Sequence, residues 1–387
     1  MEVSKISRRL VTPYSILFVT TLLSFIAWLF PDFGILRKGF NPSFNILSAG
    51  FFVAVVWYGL AIILAFFFFH FGQIKKLASA PFDKYAPFER KRPYVILTSF
   101  ALIGVFASYY TVLSNLGFDN IIAVVAQGQA NQLKEALYDD YSAGVLSLRY
   151  LAIQGCTVAI FRRFKLKLKS KLDFLNIALL LSVTLISSRL SLVMTIFACL
   201  ILFFVHLKKI KVNLIKVAST IIVFFFILSL FSYSRNKNFY EAKGHDFWTA
   251  GVSEIITYLG APFQGAIAVG NNPDQIIKAP DNWVKYAYIE SNLSTNSAFL
   301  QLFQTDGWFS FIIMIFTIII FSVLAGFLFN QKNNYLFLSV LTILYAFAEF
   351  WRLYWFGRGI MILLVIFPII ITFIAIMLSK SAWRNTK

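Results

Sequence analysis

Residues 308–329 read WFSFIIMIFTIIIFSVLAGFLF. The stretch carries no charged residue, and at ~1.5 Å per residue a helix of this length reaches ~33 Å, enough for the ~30 Å hydrocarbon core of a bilayer. It lacks the period-two alternation of a half-buried strand, and an unbroken apolar run of this length marks a transmembrane helix. Working outward, comparable blocks occur at 14–30, 46–69, 94–116, 145–161, 174–188, 190–206, 217–233, 335–351 and 360–379. The expected fold is an all-α polytopic membrane protein of about ten transmembrane helices, a single integral membrane domain over 1–387. Composition agrees: 59% of the 387 residues are hydrophobic and 13% charged, against about 45–50% and 25% in soluble domains. The block at 14–30 follows Lys5, Arg8 and Arg9 without a small-residue cleavage site, so it is kept as a helix.

The net charge of +18 is explained by where the charges fall. With the N-terminus cytoplasmic, 23 of the 35 Lys and Arg lie on the cytoplasmic side, six of them in RRFKLKLKSK at 162–171. Only Glu2, Asp83, Glu89 and Asp173 of the 17 acids join them. This is the positive-inside pattern; it needs no nucleic acid and leaves both termini cytoplasmic. Basic residues beside the spans face anionic membrane lipid favourably. A bacterial inner membrane is the expected location. Cys156 and Cys199 both lie inside apolar blocks, so no disulfide framework is expected. The three histidines form no cluster of metal-ligand spacing, and neither a metal nor another cofactor is expected.

The outer loops are unequal. Residues 31–45 form a short loop, 117–144 suggest an amphipathic surface helix, and 234–307 form one large periplasmic loop before the last three spans. That loop contains HDFWTAGVSEIITYLGAPFQGAIAV (245–269), with apolar residues at helical spacing around a break at Gly260–Pro262. Short helices lying on the outer membrane surface are expected there.

Charge on the outer side asks for a reason other than topology. Five of the arginines there are singled out: Arg149 one turn into its span, Arg189 at the tip of SSRLS, Arg235 in SYSRNK, and Arg352 and Arg358 in the aromatic turn EFWRLYWFGRG (349–359). A guanidinium is planar, stays protonated and grips two oxygens at once, so arginines suit a diphosphate. Fixed near a departing diphosphate, they would stabilise its developing charge without a metal. The plainer alternative is that they reach to outer headgroups or pair with Glu349, Asp306 or Glu254. His245, in KGHD, is the histidine on the outer side and a candidate general base; Glu254, Glu290 and Asp306 are rival bases. Tyr258 and its aromatic neighbours could stack on sugar faces, or form an interfacial belt.

Three segments then carry a resemblance. SSRLSLVMTIFACLILFF (187–204), IITYLGAPFQGAI (255–267) and NLSTNSAFLQLFQTDGWFS (292–310) resemble, in that order and topological placement, segments of the Wzy-type O-antigen and capsule polymerases. These join lipid-linked oligosaccharide repeat units in lipopolysaccharide and polysaccharide biosynthesis. The resemblance implies a glycosyltransferase acting on undecaprenyl-diphosphate-linked oligosaccharide at the periplasmic face. It implies arginines against the lipid diphosphate, carried onto Arg189, Arg235, Arg352 and Arg358, and inversion at the anomeric carbon. Arg149, Tyr258, Glu254, Asn296 and Asp306 are the accompanying substrate-binding candidates. A chain-length regulator protein is a partner the resemblance leaves open. The related O-antigen ligases carry a histidine where Thr295 stands here. A lipid-linked oligosaccharide flippase would need more charge within the spans. A polyprenyl-phosphate-sugar glycosyltransferase would need a second acid beside Asp32 in the first outer loop.

Overall fold

A computed structural model describes residues 11–29, 46–74, 88–118, 144–187, 190–206, 246–289, 297–329 and 334–384, with a few single positions between them. Its longer elements are all helices: α1 Pro13–Leu29, α2 Ala49–Ile74, α3 Lys91–Leu116, α4 Leu151–Phe164 led in by a 3₁₀ turn Val145–Tyr150, α5 Lys171–Ile186 and α6 Leu190–Val205. There follow α7 Phe247–Asn271, α8 Pro273–Lys278, α9 Trp283–Ala287, α10 Ala298–Asp306, α11 Ser310–Phe329, α12 Asn334–Glu349 and α13 Gly359–Arg384. No β-strand occurs among the described residues. Five stretches are long and apolar enough to cross a membrane: Ala49–Ile74, Lys91–Leu116, Val145–Phe164, Phe247–Asn271 and Ala298–Phe329. Pro13–Leu29, Leu190–Val205, Tyr335–Glu349 and Gly359–Ala375 are shorter apolar helices. Phe67, Phe106, Leu200 and Phe316 are among many large apolar side chains that point outward and stay more than half exposed. A water-facing surface does not carry so many; lipid accounts for them. The block expected at 217–233 and the surface helix expected within 117–144 lie largely outside the described residues.

The stretch 234–307 differs from the expectation of short surface helices. Its largest element, α7, is one 25-residue helix running through Pro262 and packed lengthwise in the bundle. The Ser24 hydroxyl of α1 donates to the Leu259 carbonyl at 2.7 Å, and Trp28 Nε1 donates to Gln264 Oε1 at 2.5 Å. Contacts that climb both chains together mean that α1 and α7 run parallel. At the far end, Gly50 N of α2 donates to Asn271 Oδ1 at 2.7 Å. The proline was the misleading signal. A prolyl ring leaves carbonyls of the preceding turn without partners, which in water favours a break. Within a membrane-type bundle neighbouring groups can re-satisfy them; the carbonyl deprived of its donor by Pro262 is that of Tyr258, and Ser24 bonds the adjacent Leu259 carbonyl.

The buried side chains form two main clusters. One gathers α1, α2, α7, α10 and α11; the other gathers α3, α4, α5, α6 and α13. Helix α12 belongs to both. Val340, Ile343, Leu344 and Phe347 face the first cluster, while Tyr335, Leu338, Leu341 and Tyr345 face the second. From Tyr335 to Phe350 only Phe337 and Ala348 are not fully buried. A helix apolar on every side belongs in an interior, and α12 is the partition between two half-bundles. Helices α2 and α11 press together at two glycines. A Cβ on Gly72 would collide with the Val323 carbonyl, and one on Gly326 with the Phe69 carbonyl. Small residues of this kind let membrane helices approach closely.

The two ends of the bundle differ chemically. At the end where Phe88 packs on Tyr335, the buried Asp173 accepts from Tyr94 Oη at 3.0 Å and from Ser170 N at 2.7 Å. Arg162 pairs with it at 3.8 Å and lies over the Tyr94 ring. The Arg162 guanidinium also donates to the Phe88 carbonyl. This network clasps α3, α4 and α5. Removing one member of a buried ion pair costs about 3–5 kcal/mol, because the other charge is stranded. Asp173→Ala is therefore expected to lower the thermal midpoint of the detergent-purified protein sharply. Tyr94→Phe removes two hydrogen bonds, one to Asp173 and one from Asn176, at about 1 kcal/mol each, and should shift it less. Equal midpoints for Asp173→Ala and wild type would refute the clasp.

A candidate functional site at the Glu349 end of α12

Arg352, Glu349 and Tyr258 meet where α12 ends and its chain turns toward α13. Amides of the next turn fold back on the helix: Arg352 N and Leu353 N donate to the Glu349 carbonyl at 2.9 and 2.8 Å. The Glu349 carboxylate pairs with Arg352 Nε, and both side chains are nearly closed to solvent, at 10% and 12% exposed. Tyr258 of α7 places its ring 5.1 Å from the Arg352 guanidinium carbon. The ring of Trp351 meets that of Tyr258 edge-on at 6.2 Å. Tyr345, one turn before Glu349 on α12, sets its phenol beside the same carboxylate.

The turn 350–358 is held from three sides. Tyr58 of α2 donates to the Trp351 carbonyl at 3.0 Å. Tyr354 N donates to Gln301 Oε1 of α10 at 2.9 Å, and the Tyr354 hydroxyl lies 2.7 Å from Thr317 Oγ1 of α11. The contact with Tyr58 fixes the depth. Tyr58 lies about 13 Å along α2 from its Ala49 end, and Tyr258 about 20 Å along α7 from Asn271, at ~1.5 Å per residue. Gly50 and Asn271 are hydrogen-bonded neighbours, so the Arg352–Glu349 pair is sunk well below that end of the bundle. Helix α10 dips to the same depth. Its buried Ser297 caps the Leu300 amide at 2.9 Å, Phe299 stacks on Trp57 at 4.2 Å, and the chain reverses at Gly307, which holds φ +55°.

The other candidates fall as follows. Arg149 is completely buried. It donates to the Leu146 carbonyl at 2.7 Å and to the Tyr150 hydroxyl at 3.1 Å, and Tyr150 in turn bonds Ser187 at 2.9 Å. These bonds tie the 3₁₀ turn to the end of α5, and a longer contact of 3.4 Å reaches Ser108 of α3. Arg358 is exposed at the start of α13, and no acid among the described residues pairs with it. Asp306 is exposed at the C-terminal end of α10, bonded by Thr305 at 2.5 Å. Glu254 sits on α7 one turn before Tyr258. The structure thus brings Arg352 and Tyr258 together and keeps Arg149, Arg358 and Asp306 out of that contact. Arg189, Arg235, His245 and Asn296 lie outside the described residues.

Sequence reasoning named Glu349 only as a partner for arginine, and passed over Tyr345 and Tyr58. The available signal was an acid ending an unbroken apolar helix, three residues before an arginine. Among the described residues no group of three His, Cys, Asp or Glu is placed to hold a metal ion. Comparison with family models, with curated proteins and with solved structures returns no match.

Proposed function

We propose that this chain is a polymerase of the Wzy type. It joins undecaprenyl-diphosphate-linked oligosaccharide repeat units into O-antigen or capsular polysaccharide. In this proposal about ten helices span the bacterial inner membrane, both termini are cytoplasmic and the Glu349 end faces the periplasm. The observation that carries the reading is the sunken Arg352–Glu349–Tyr258 cluster. A charged side chain well inside a membrane bundle costs ~2.5–3.5 kcal/mol or more even by the mildest scales, and such residues are rare unless they serve a ligand or a transported charge. Here the cation is an arginine, the side chain matched to diphosphate oxygens, and an aromatic ring of the kind that stacks on sugars lies against it. The non-reducing sugar hydroxyl of the incoming unit would attack the anomeric carbon of the growing chain. The diphosphate would leave toward Arg352, with Arg358 at the rim. Holding both glycans in line supplies much of the rate.

A strain lacking the gene tests the proposal. Its surface glycan is expected to collapse from a ladder of chain lengths to a core bearing one repeat unit. An unchanged ladder would refute it. Loss of all repeat units from the core would indicate a ligase or a flippase instead. Purified protein given lipid-linked repeat unit should release polyprenyl diphosphate and form longer lipid-linked glycans.

A further inference from the structure

The Arg352–Glu349 pair raises a difficulty for any anion that is to use Arg352: the guanidinium already has a carboxylate on it. We infer that Glu349 is a resident stand-in for the donor diphosphate, and that donor binding displaces it from Arg352 and so frees it to act as the general base. This rests on the polymerase reading for the identity of the acceptor, but the exchange of anions at Arg352 does not.

Three features of the geometry support it. First, carboxylate and phosphate oxygens are interchangeable partners for the guanidinium fork; Glu349 holds its Nε, so a diphosphate that grips the fork through Nε and an Nη competes with Glu349 for Nε. Second, the pair sits at the hinge between a rigid helix and an irregular turn. Glu349 is the last residue of α12, whereas Arg352 belongs to a turn held by the side chains of Tyr58, Gln301 and Thr317. Separating the two needs a rotamer change at Glu349 and no movement of a helix. Third, the charged and titratable groups described around Glu349 are few: Arg352 on the turn, Tyr345 on α12 and Tyr258 on α7. Once Arg352 is taken by the diphosphate, no second described cation stands there to hold the carboxylate's charge. A carboxylate released from its cation has its oxygens open to accept a hydrogen bond from an entering hydroxyl.

The step balances without another reactant. The acceptor hydroxyl oxygen forms the new bond to the anomeric carbon, and the bond from that carbon to the diphosphate oxygen breaks. The diphosphate leaves with the electron pair onto Arg352, and the hydroxyl proton passes to Glu349. Departure of polyprenyl diphosphate lets Glu349 lose its proton and return to Arg352. The base is thus shielded until a donor is seated.

Two measurements on the full-length detergent-purified protein test this. The first is binding of geranylgeranyl diphosphate, a short polyprenyl diphosphate without sugar. Glu349→Gln removes the competing charge, and binding is expected to tighten about tenfold, in the range of coupling seen for close charge pairs. The second is turnover of lipid-linked repeat unit, which in Glu349→Gln should fall ~10²–10⁴-fold as expected for loss of a general base. Glu349→Asp should restore part of it. A merely structural Glu349 would give the opposite binding result: weaker or unchanged affinity in Glu349→Gln. That result, or wild-type turnover in this variant, overturns the inference. Should wild-type protein consume no donor while Glu349→Gln still binds the probe more tightly, the polymerase reading falls and the anion exchange stands.

Discussion

Arg352→Ala is expected to abolish polymer and to destabilise the protein at once. The mutation leaves the Glu349 carboxylate buried without its cation, for which the usual penalty is about 3–5 kcal/mol. On the activity side it removes the guanidinium that would receive the leaving diphosphate, and loss of one such preorganised group costs ~10²–10³ in rate. The two effects separate in the double variant Arg352→Ala/Glu349→Ala, which removes both charges together. Its thermal midpoint should return most of the way to wild type, while no glycan ladder forms. If the double variant is as unstable as the single one, the ion pair is not what holds the turn. If Arg352→Ala still builds a full ladder at normal protein level, Arg352 is not part of the site. Arg352→Lys should fold better than the alanine variant yet remain poor in activity, because an ammonium is a point charge and lacks the planar fork.

The second large effect is expected at Gly326. A side chain there would drive into the Phe69 carbonyl, which is backbone of a packed helix and has nowhere to retreat. Inserting methyl groups into a close-packed interior costs typically ~1–3 kcal/mol and occasionally more, and Gly326→Val adds three carbons where even one collides. We expect little folded protein, read as loss of the monodisperse peak on size-exclusion chromatography. Gly59, on the same partner helix α2, is the control. A Cβ there meets nothing within 4 Å, so Gly59→Ala should behave as wild type or slightly better, given alanine's helix propensity advantage of ~1 kcal/mol. Equal behaviour of Gly326→Val and Gly59→Ala would show that α2 and α11 do not pack as described.

Much of the helical layout was legible because long uncharged runs have few other structural outcomes. The stretch 308–329 appears as α11 almost residue for residue, and 94–116 as the greater part of α3. What hydropathy could not convey was company. The residues of α7 have helical spacing, but Gly260–Pro262 suggests a stop, and nothing local shows that Ser24, more than two hundred residues earlier, supplies a donor beside that proline. The same limit applied to the site. Arg352 and Tyr258 could each be singled out from residue type and neighbourhood, yet their contact spans 94 positions in sequence and depends on α7 lying inside the bundle. Glu349 could be guessed as an arginine's partner from its spacing of three. Its near-complete burial, which turns a common surface pair into a costly one, depends on the helices around it. Arg149 shows the converse: chosen for its placement inside a span, it proves occupied with local carbonyl and hydroxyl groups.

The position of α12 bears on how the protein is made. A nascent chain is released from its N-terminal side, so α1 to α11 are synthesised before the helix that divides them. Having almost no lipid-facing side, and being at ~24 Å too short to cross a ~30 Å hydrocarbon layer by itself, α12 gains little by residing alone in the bilayer. It comes to rest against the wall of α1, α2, α7, α10 and α11, and α13, made after it, completes the other wall. Glu349 and Arg352, carried at its tip, meet Tyr258 only after α1 to α11 have been made, so charges that would be costly in an early intermediate are brought in late.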